Sequence, residues 1–293
     1  MTYDLIVIGG SYSGMAAALQ LLRAHRSVLI IDAGARRNRF AKASHGFLGQ
    51  DGVPPGDIAQ TARAQLEAYP TLTWIEGYAE RAEGERDSFT ITMRDGTRHH
   101  GRRLLFATGI SDTLPAVEGL TERWGRSIFH CPYCHGYELQ RGRIGCIAVN
   151  PMSLHQASIL PEWGSVTLLL NGAFTLDDAQ REQLAARNVA VEETPISQIE
   201  GEADVRLTDG RVLPFAGLFV ASRNAPSTPI AATLGCILEE TPFGTQIEVT
   251  PQKATSVPGA YACGDVARVP HSVSLAVGDG AWAGAQIHHS LMF

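Results

Sequence analysis

The sequence predicts an α/β fold of two similar domains, the second inserted into the first, on three observations. The segment DLIVIGGSYSGMAAALQLLRAHRSVLIIDAG, residues 4–34, reads as strand, glycine turn, helix and strand. The same plan returns near residue 142, where GRIGCIAVNPMSLHQASIL is followed by SVTLLLNG. A later segment, VPGAYACGDVA, ends a strand on Gly-Asp and leads into an Ala/Gly-rich helix from about residue 272.

In the first segment the opening strand is a continuous apolar run, as expected of a parallel strand buried on both faces. Gly9, Gly10, Ser11, Ser13 and Gly14 stand where the chain turns into the helix, and Asp32 ends the next strand 18 residues after Gly14. Glycines let a backbone approach a pyrophosphate, the helix N-terminus supplies N–H groups, and the acid accepts ribose hydroxyls. Together these make the fingerprint of a Rossmann-like dinucleotide-binding domain, with Ser11 where the middle glycine of GxGxxG usually stands. The alternative is an ordinary βαβ turn with surplus glycine; a lone GxGxxG is weak, and it is strand, helix and acid together that favour the fingerprint.

Hairpins follow both copies. TITMRDGTRHHGRRLLFATG (90–109) resembles VRLTDGRVLPFAGLFVAS (205–222), each with an Asp-Gly turn between strands. The second copy has lost its dinucleotide chemistry. Gly9, Gly10 and Gly14 correspond to Ala148, Val149 and Ser153, and Asp32 corresponds to Leu170. Asn171 and Gly172 follow Leu170, so there is no arginine cluster there for a 2′-phosphate. Asn150-Pro151 still makes a helix start. The expected division is 1–114 and 245–293 for the first domain and 115–244 for the insert.

The chain has 293 residues, enough for two cores, with 44% hydrophobic and 18% charged residues. A net charge of −6 argues against nucleic acid or an anionic membrane as partner. MTYDLIVIGG runs straight into a strand pattern, which predicts no signal peptide, and no apolar run approaches the roughly 20 residues that span a bilayer. Five cysteines, with Cys146, Cys236 and Cys263 isolated, do not make a secreted disulfide framework. They point to reducing cytoplasm, where a CxxC is metal-binding or catalytic.

The CxxC lies in HCPYCHGYE, residues 130–138. Zinc takes about four ligands, and the local candidates are only His130 and His135, with no second cysteine pair. Cys131 and Cys134 read as a redox pair with no metal, the alternatives being a cramped zinc site and a pair without function. Pro132 helps start a helix, which puts Cys131 near positive dipole and favours its thiolate. His135, as an imidazole of ordinary pKa near 6.5 beside a thiol, would move protons near neutral pH, the alternative being a histidine that only packs. His45 in SHGFLGQDG and His271 in VPHSV could face a cofactor, or be structural. Cys146 and Cys263 read as core. HGRR (100–103) and RAHR (23–26) read as solvated basic faces.

The glycine turn, Asp32, Ala107-Thr108-Gly109, the Cys131–Cys134 pair and Cys263-Gly264-Asp265 occur in the order seen in low-molecular-weight thioredoxin reductases, which the chain resembles over nearly its whole length. The resemblance implies an FAD domain, an inserted NADPH-type domain carrying the disulfide, and a homodimer. Gly9, Gly14, Asp32 and Asp265 would hold FAD, with Ala107, Thr108, Gly109 and Gly264 beside them. Cys134 would lie next to the flavin, and Cys131 would attack the substrate. Three departures stand out: the lost second glycine turn, His135 where the reductases usually carry an acid, and Pro270-His271 where they usually have Arg-Gln near the flavin. CPYCHGYE is closer to dithiol oxidases that close disulfides in natural products such as gliotoxin and holomycin, and to reductase-like flavoproteins that do without NADPH. The expected enzyme is an FAD-dependent thiol/disulfide oxidoreductase that oxidises a small dithiol or a thioredoxin-like protein. Its electrons would pass to oxygen or another acceptor. A reductase fed by ferredoxin or NADPH, a non-catalytic flavin redox sensor and a plain NAD(P)H-dependent flavin oxidoreductase are the rival readings.

Overall fold

The computed structural model describes residues 1–293. The first half of the chain contains β1 (Thr2–Ile8), α1 (Tyr12–Arg23), β2 (Val28–Asp32), α2 (Pro55–Glu67), β3 (Leu72–Glu76), β4 (Ala79–Glu83), β5 (Phe89–Met93), β6 (Arg98–Phe106), β7 (Ile110–Thr113), β8 (Ile128–Phe129), α3 (Pro132–His135) and β9 (Arg143–Ile147). The second half contains α4 (Met152–Ile159), β10 (Ser165–Leu169), α5 (Asp178–Ala186), β11 (Ala190–Glu192), β12 (Ile196–Glu200), β13 (Asp204–Leu207), β14 (Val212–Leu213), β15 (Gly217–Val220), β16 (Arg223–Pro226), α6 (Ile230–Leu234), β17 (Leu238–Thr241), β18 (Gly244–Ile247), β19 (Ala260–Ala262) and α7 (Val273–Met292). The chain forms two compact units, residues 1–39, 47–111 and 224–293 in one, and 40–46 and 112–223 in the other.

In the first unit the main sheet runs β3-β2-β1-β6-β5-β4, with β19 also paired to β6. β1 lies parallel to both β2 and β6, and Leu5, Ile6 and Val7 are fully buried, which is why the strand is apolar without alternation. α1 packs on α7 through bare backbone. A Cβ at Gly280 would strike the Ser13 carbonyl, and one at Gly284 the Ala17 carbonyl. Arg103 departs from the solvated face expected of HGRR. It is only 2% exposed, and it donates to Ser290 and to Asp87 at 2.9 Å, because β6 turns that position under α7.

In the second unit the parallel sheet β11-β10-β9-β15-β8 repeats the plan, with β9 and β10 parallel as β1 and β2 are. A three-stranded sheet, β12-β13-β14, belongs to the same unit. The hairpins of the two copies differ. β6 is one strand of nine residues, antiparallel to β5 and parallel to β1. Its counterpart is split into β14 and β15 around Pro214, which has no N–H for a ladder.

The chain re-enters the first unit at Asn224, earlier than the sequence expectation of 245. Ile230, Ala231, Cys236 and Ile247 explain the difference, since they share the core of Phe89 and Ile91. Residues 40–46 group with the second unit, where the sequence reading kept them in the first.

Candidate functional site

The turn from β1 to α1 is built so that side chains are excluded from it. Gly9 has φ +108, and a Cβ there would run into the Ala107 carbonyl at the end of β6. Gly10 donates its N–H to Asp32 Oδ1 at 3.1 Å, so the acid closing β2 is held against the turn. A Cβ on Gly14 would strike the Gly9 carbonyl. Its role is therefore close helix–strand packing rather than leaving room directly for a ligand. Ser11 is the N-cap of α1 and makes no side-chain capping bond, which leaves the helix's first N–H groups to a ligand. Asp32 and Gly10 line an open pocket of about 200 Å³ with Arg36, Gly56, Arg63 and Trp74. Arg36 Nε and Trp74 Nε1 are buried there with no hydrogen-bond partner.

Gly264 and Asp265 close the other side of the same unit. A Cβ on Gly264, at φ +75, would hit the Ser13 side chain, so the Gly-Asp turn presses against the start of α1. Asp279 of α7, buried, accepts the Gly264 N–H at 2.8 Å and pairs with Lys253 at 2.6 Å. Arg37 reaches Asp265 at 3.8 Å and His271 Nδ1 at 3.4 Å. Ala107, Thr108 and Gly109 follow β6, where the Thr108 carbonyl accepts from Ser227 Oγ at 2.6 Å. The structure thus gathers the glycine turn, Asp32, Ala107–Gly109, Gly264, Asp265 and His271 within one unit. Cys263 is a buried free thiol whose pKa is pushed up to about 12 by burial and by the nearby Asp279 charge, so it stays protonated at neutral pH.

In the second unit the corresponding turn is filled. Ser153 is fully buried and its Oγ accepts the Val149 N–H at 3.1 Å, while Asn150 Oδ1 accepts the Met152 N–H at 2.9 Å. The Val149 N–H is held by a side chain, as the N–H of its counterpart Gly10 is. The Met152 N–H at the helix start has gained a side-chain partner that the first copy lacks. Leu170, in the place of the ribose-binding acid, is buried in the core of Leu168 and Leu184.

The same unit carries the cysteine pair. Cys131 and Cys134 are joined by a disulfide with Cα atoms 5.3 Å apart. Cys131 is the N-cap of α3, and Pro132 opens that helix. Tyr133 and Tyr137 are largely exposed on either side, and Tyr133 meets Trp163 edge-on with ring centroids 5.2 Å apart. His45 Nε2 stands 3.4 Å from Glu138 Oε1, four residues after Cys134. His45 therefore lies with the cysteine turn and not with the glycine turn.

His135 differs from expectation. Its ring stacks on Phe129 with centroids 4.2 Å apart, and burial, with a smaller contribution from His45, pushes its pKa down to about 4. It is a neutral imidazole through the whole neutral range, so the proton exchange near neutrality expected from sequence moves to acid pH. The unfolded chain takes up this proton first as pH falls. Stability tied to His135 is therefore complete above about pH 6.5 and is lost progressively down to pH about 4. The expected loss is on the order of 3 kcal/mol. Urea unfolding across that window should show a steeper fall for the wild type than for His135→Leu; parallel curves would remove the buried neutral histidine.

Sequence reasoning missed Arg36, Arg37, Trp74, Glu138 and Asp279. The ARRNR run just after Asp32 was a usable signal, since clustered cations beside a ribose acid suit a phosphate. The others are brought in by tertiary packing and carry no local pattern.

A family model described as pyridine nucleotide-disulphide oxidoreductase matches residues 3–280. A relative named thioredoxin reductase tcpT, from Claviceps purpurea (strain 20.1), is 31% identical over 99% of this chain and 94% of its own. A solved structure of an oxidoreductase from Agrobacterium tumefaciens is 52% identical, covers 100% of this chain and 99% of its own, and superposes with a TM-score of 0.98. The crystal structure of HlmI is similar at 34% identity, 99% and 93% coverage and a TM-score of 0.91. With a match that spans both the glycine turn and the disulfide, the chain belongs to the pyridine nucleotide-disulphide oxidoreductase family and is an FAD-dependent disulfide oxidoreductase.

Proposed function

We propose that this enzyme is a dithiol oxidase that works through Cys131–Cys134 and makes little use of NAD(P)H. The observation that supports it most directly is a disulfide on a helix start, in a unit whose own nucleotide turn is occupied by Ser153 and Asn150. FAD fits the first unit. Bare backbone at Gly9 and Gly10, the uncapped start of α1, Asp32 and the unpartnered donors of Arg36 and Trp74 suit a pyrophosphate and its ribose. Gly264, Asp265, Arg37 and His271 suit the flavin side. When bound, FAD supplies the two-electron acceptor that restores the enzyme disulfide and passes the electrons to oxygen or another oxidant.

The chain's own steps are thiol exchange. A substrate thiolate attacks Cys131 Sγ, the Cys131–Cys134 bond breaks, and Cys134 leaves as a thiolate. The second substrate thiolate then attacks the substrate sulfur of the mixed disulfide and Cys131 leaves. Two electrons have moved from substrate to enzyme, and the substrate has become a disulfide. The two thiol protons need acceptors, and the His45–Glu138 pair stands next to the cysteine turn. His135, with its pKa pushed down to about 4, is too weak a base to hold one near neutrality. Three buried free cysteines suit a reducing cytoplasm, and the family resemblance favours a homodimer. No helix is long and apolar enough to cross a membrane.

The test is anaerobic mixing with a small dithiol followed by readmission of air. The flavin should bleach, and on aeration its colour should return with hydrogen peroxide and substrate disulfide formed together. Bleaching by reduced ferredoxin, with no dithiol oxidation in air, would instead make the enzyme a ferredoxin-fed reductase acting on a thioredoxin-like protein. Gly14→Val should purify colourless, because its side chain collides with the Gly9 carbonyl and opens the β1–α1 turn. Flavin absorbance per protein, with a melting curve, measures this; a yellow, stoichiometric variant would contradict it.

A further inference from the structure

α4 begins where the second nucleotide site has been filled, yet its middle holds a buried polar side chain that a spent nucleotide helix does not need. Gln156 is 7% exposed. In the repeat it corresponds to Ala17 of α1, a small residue that α7 packs against. Gln156 Nε2 donates to the His130 carbonyl at 2.9 Å, and its Oε1 accepts from the Cys146 thiol at 3.6 Å. His130 is the residue before Cys131. β8 pairs with β15 only at Ile128 and Phe129, so the His130 carbonyl has left the sheet ladder. A carbonyl carried off a ladder into the interior needs another donor, and Gln156 supplies one from a different element.

We propose that Gln156 is a positioning residue for the redox pair: by holding the His130 carbonyl it fixes the backbone that delivers Cys131 to Cys134 and so favours the disulfide over the dithiol. This rests on the pair being the redox centre. The exchange concerned is enzyme disulfide plus two glutathione thiols giving enzyme dithiol plus glutathione disulfide, with two electrons and two protons moved. Ordering one cysteine's backbone raises the effective concentration of one thiol at the other, which shifts that equilibrium toward the closed ring. Cys146 holds the far side of the same amide, but only through a weak thiol donor.

The experiment uses the FAD-loaded enzyme in anaerobic glutathione buffers of graded poise, with thiols trapped by alkylation and counted by mass. Gln156→Leu removes both hydrogen bonds. Gln156→Glu keeps the acceptor for Cys146 and replaces the donor facing His130 with a carboxylate. Both should move the Cys131–Cys134 equilibrium toward the dithiol about tenfold, roughly 30 mV for a two-electron couple. Cys146→Ala, which loses packing but leaves Gln156 on His130, should stay within about threefold of the wild type. If the variants that form the disulfide share the wild-type equilibrium, or if Cys146→Ala shifts as far as they do, Gln156 is core and nothing more. If the wild-type pair itself never exchanges with glutathione, the redox reading has failed, and the inference falls with it by a separate result.

Discussion

Mixed anaerobically with NADPH or NADH, the enzyme is expected to keep its flavin oxidised for times in which a small dithiol bleaches it. A pyridine nucleotide site of the usual kind needs backbone close to the pyrophosphate, free N–H groups at a helix start and a side chain gripping the ribose. Each is missing for a stated reason. Asn150 Oδ1 holds the Met152 N–H at the helix start. Side chains at Ala148 and Val149 stand where the first copy has bare backbone, and Leu170 is committed to the core. Hydrogen bonds to charged groups are worth about 1.5–3 kcal/mol each. Losing the Met152 N–H and the ribose acid costs about 3–6 kcal/mol, or roughly two to four powers of ten in affinity. Stopped-flow absorbance over a range of nucleotide concentrations measures this directly. Rapid, saturable bleaching by NADPH would return the enzyme to pyridine-nucleotide-driven reduction.

How much of this was legible in the sequence depends on how local each feature is. The glycine turn and Asp32 were readable because strand period, turn glycines and a spaced acid all lie within about thirty residues, as does the decay of the same pattern in the second copy. The cysteine pair was readable because three residues of separation bring the two sulfurs onto one helical turn. His135 was read as a base working near neutrality, and its pKa lies well below that. Its neighbour in sequence is a cysteine, while its pKa is decided by Phe129, whose ring covers it only after β8 and α3 have formed. The return to the first unit was misplaced because α6, β17 and β18 are short and have no strong apolar period. Arg103 looked like surface because a charge in a basic run normally is; the C-terminal helix end, 187 residues away, covers it and provides Ser290 as an acceptor beside Asp87. Glu138 and Gln156 share that origin, since both matter through partners the chain brings in from far away.

Removing Cys131 should abolish dithiol turnover and leave a spectral mark, which makes it the sharpest test of how the pair divides its work. The disulfide closes on the N-cap and third helical position of α3, so the two sulfurs differ in environment from the start. Cys131 takes the helix's positive end, which favours a thiolate leaving group and a site for attack. By the family resemblance, Cys134 would be the cysteine beside the flavin, and the variants test that division. With Cys131→Ser, Cys134 is left as a single thiol that cannot close a ring, and its thiolate next to oxidised flavin should add a long-wavelength charge-transfer band. That band should fade as the thiolate is protonated in acid. Cys134→Ser should show no band, yet Cys131 should still trap a substrate thiol as a stable mixed disulfide detectable by mass. Both variants should lose dithiol oxidation by at least about three powers of ten, as expected when a covalent nucleophile is removed. FAD content should be unchanged in both, because every residue of the glycine-turn cradle is intact. A band in Cys134→Ser and none in Cys131→Ser would exchange the two roles while leaving the redox pair in place. Full turnover in either variant would take the disulfide out of the reaction altogether.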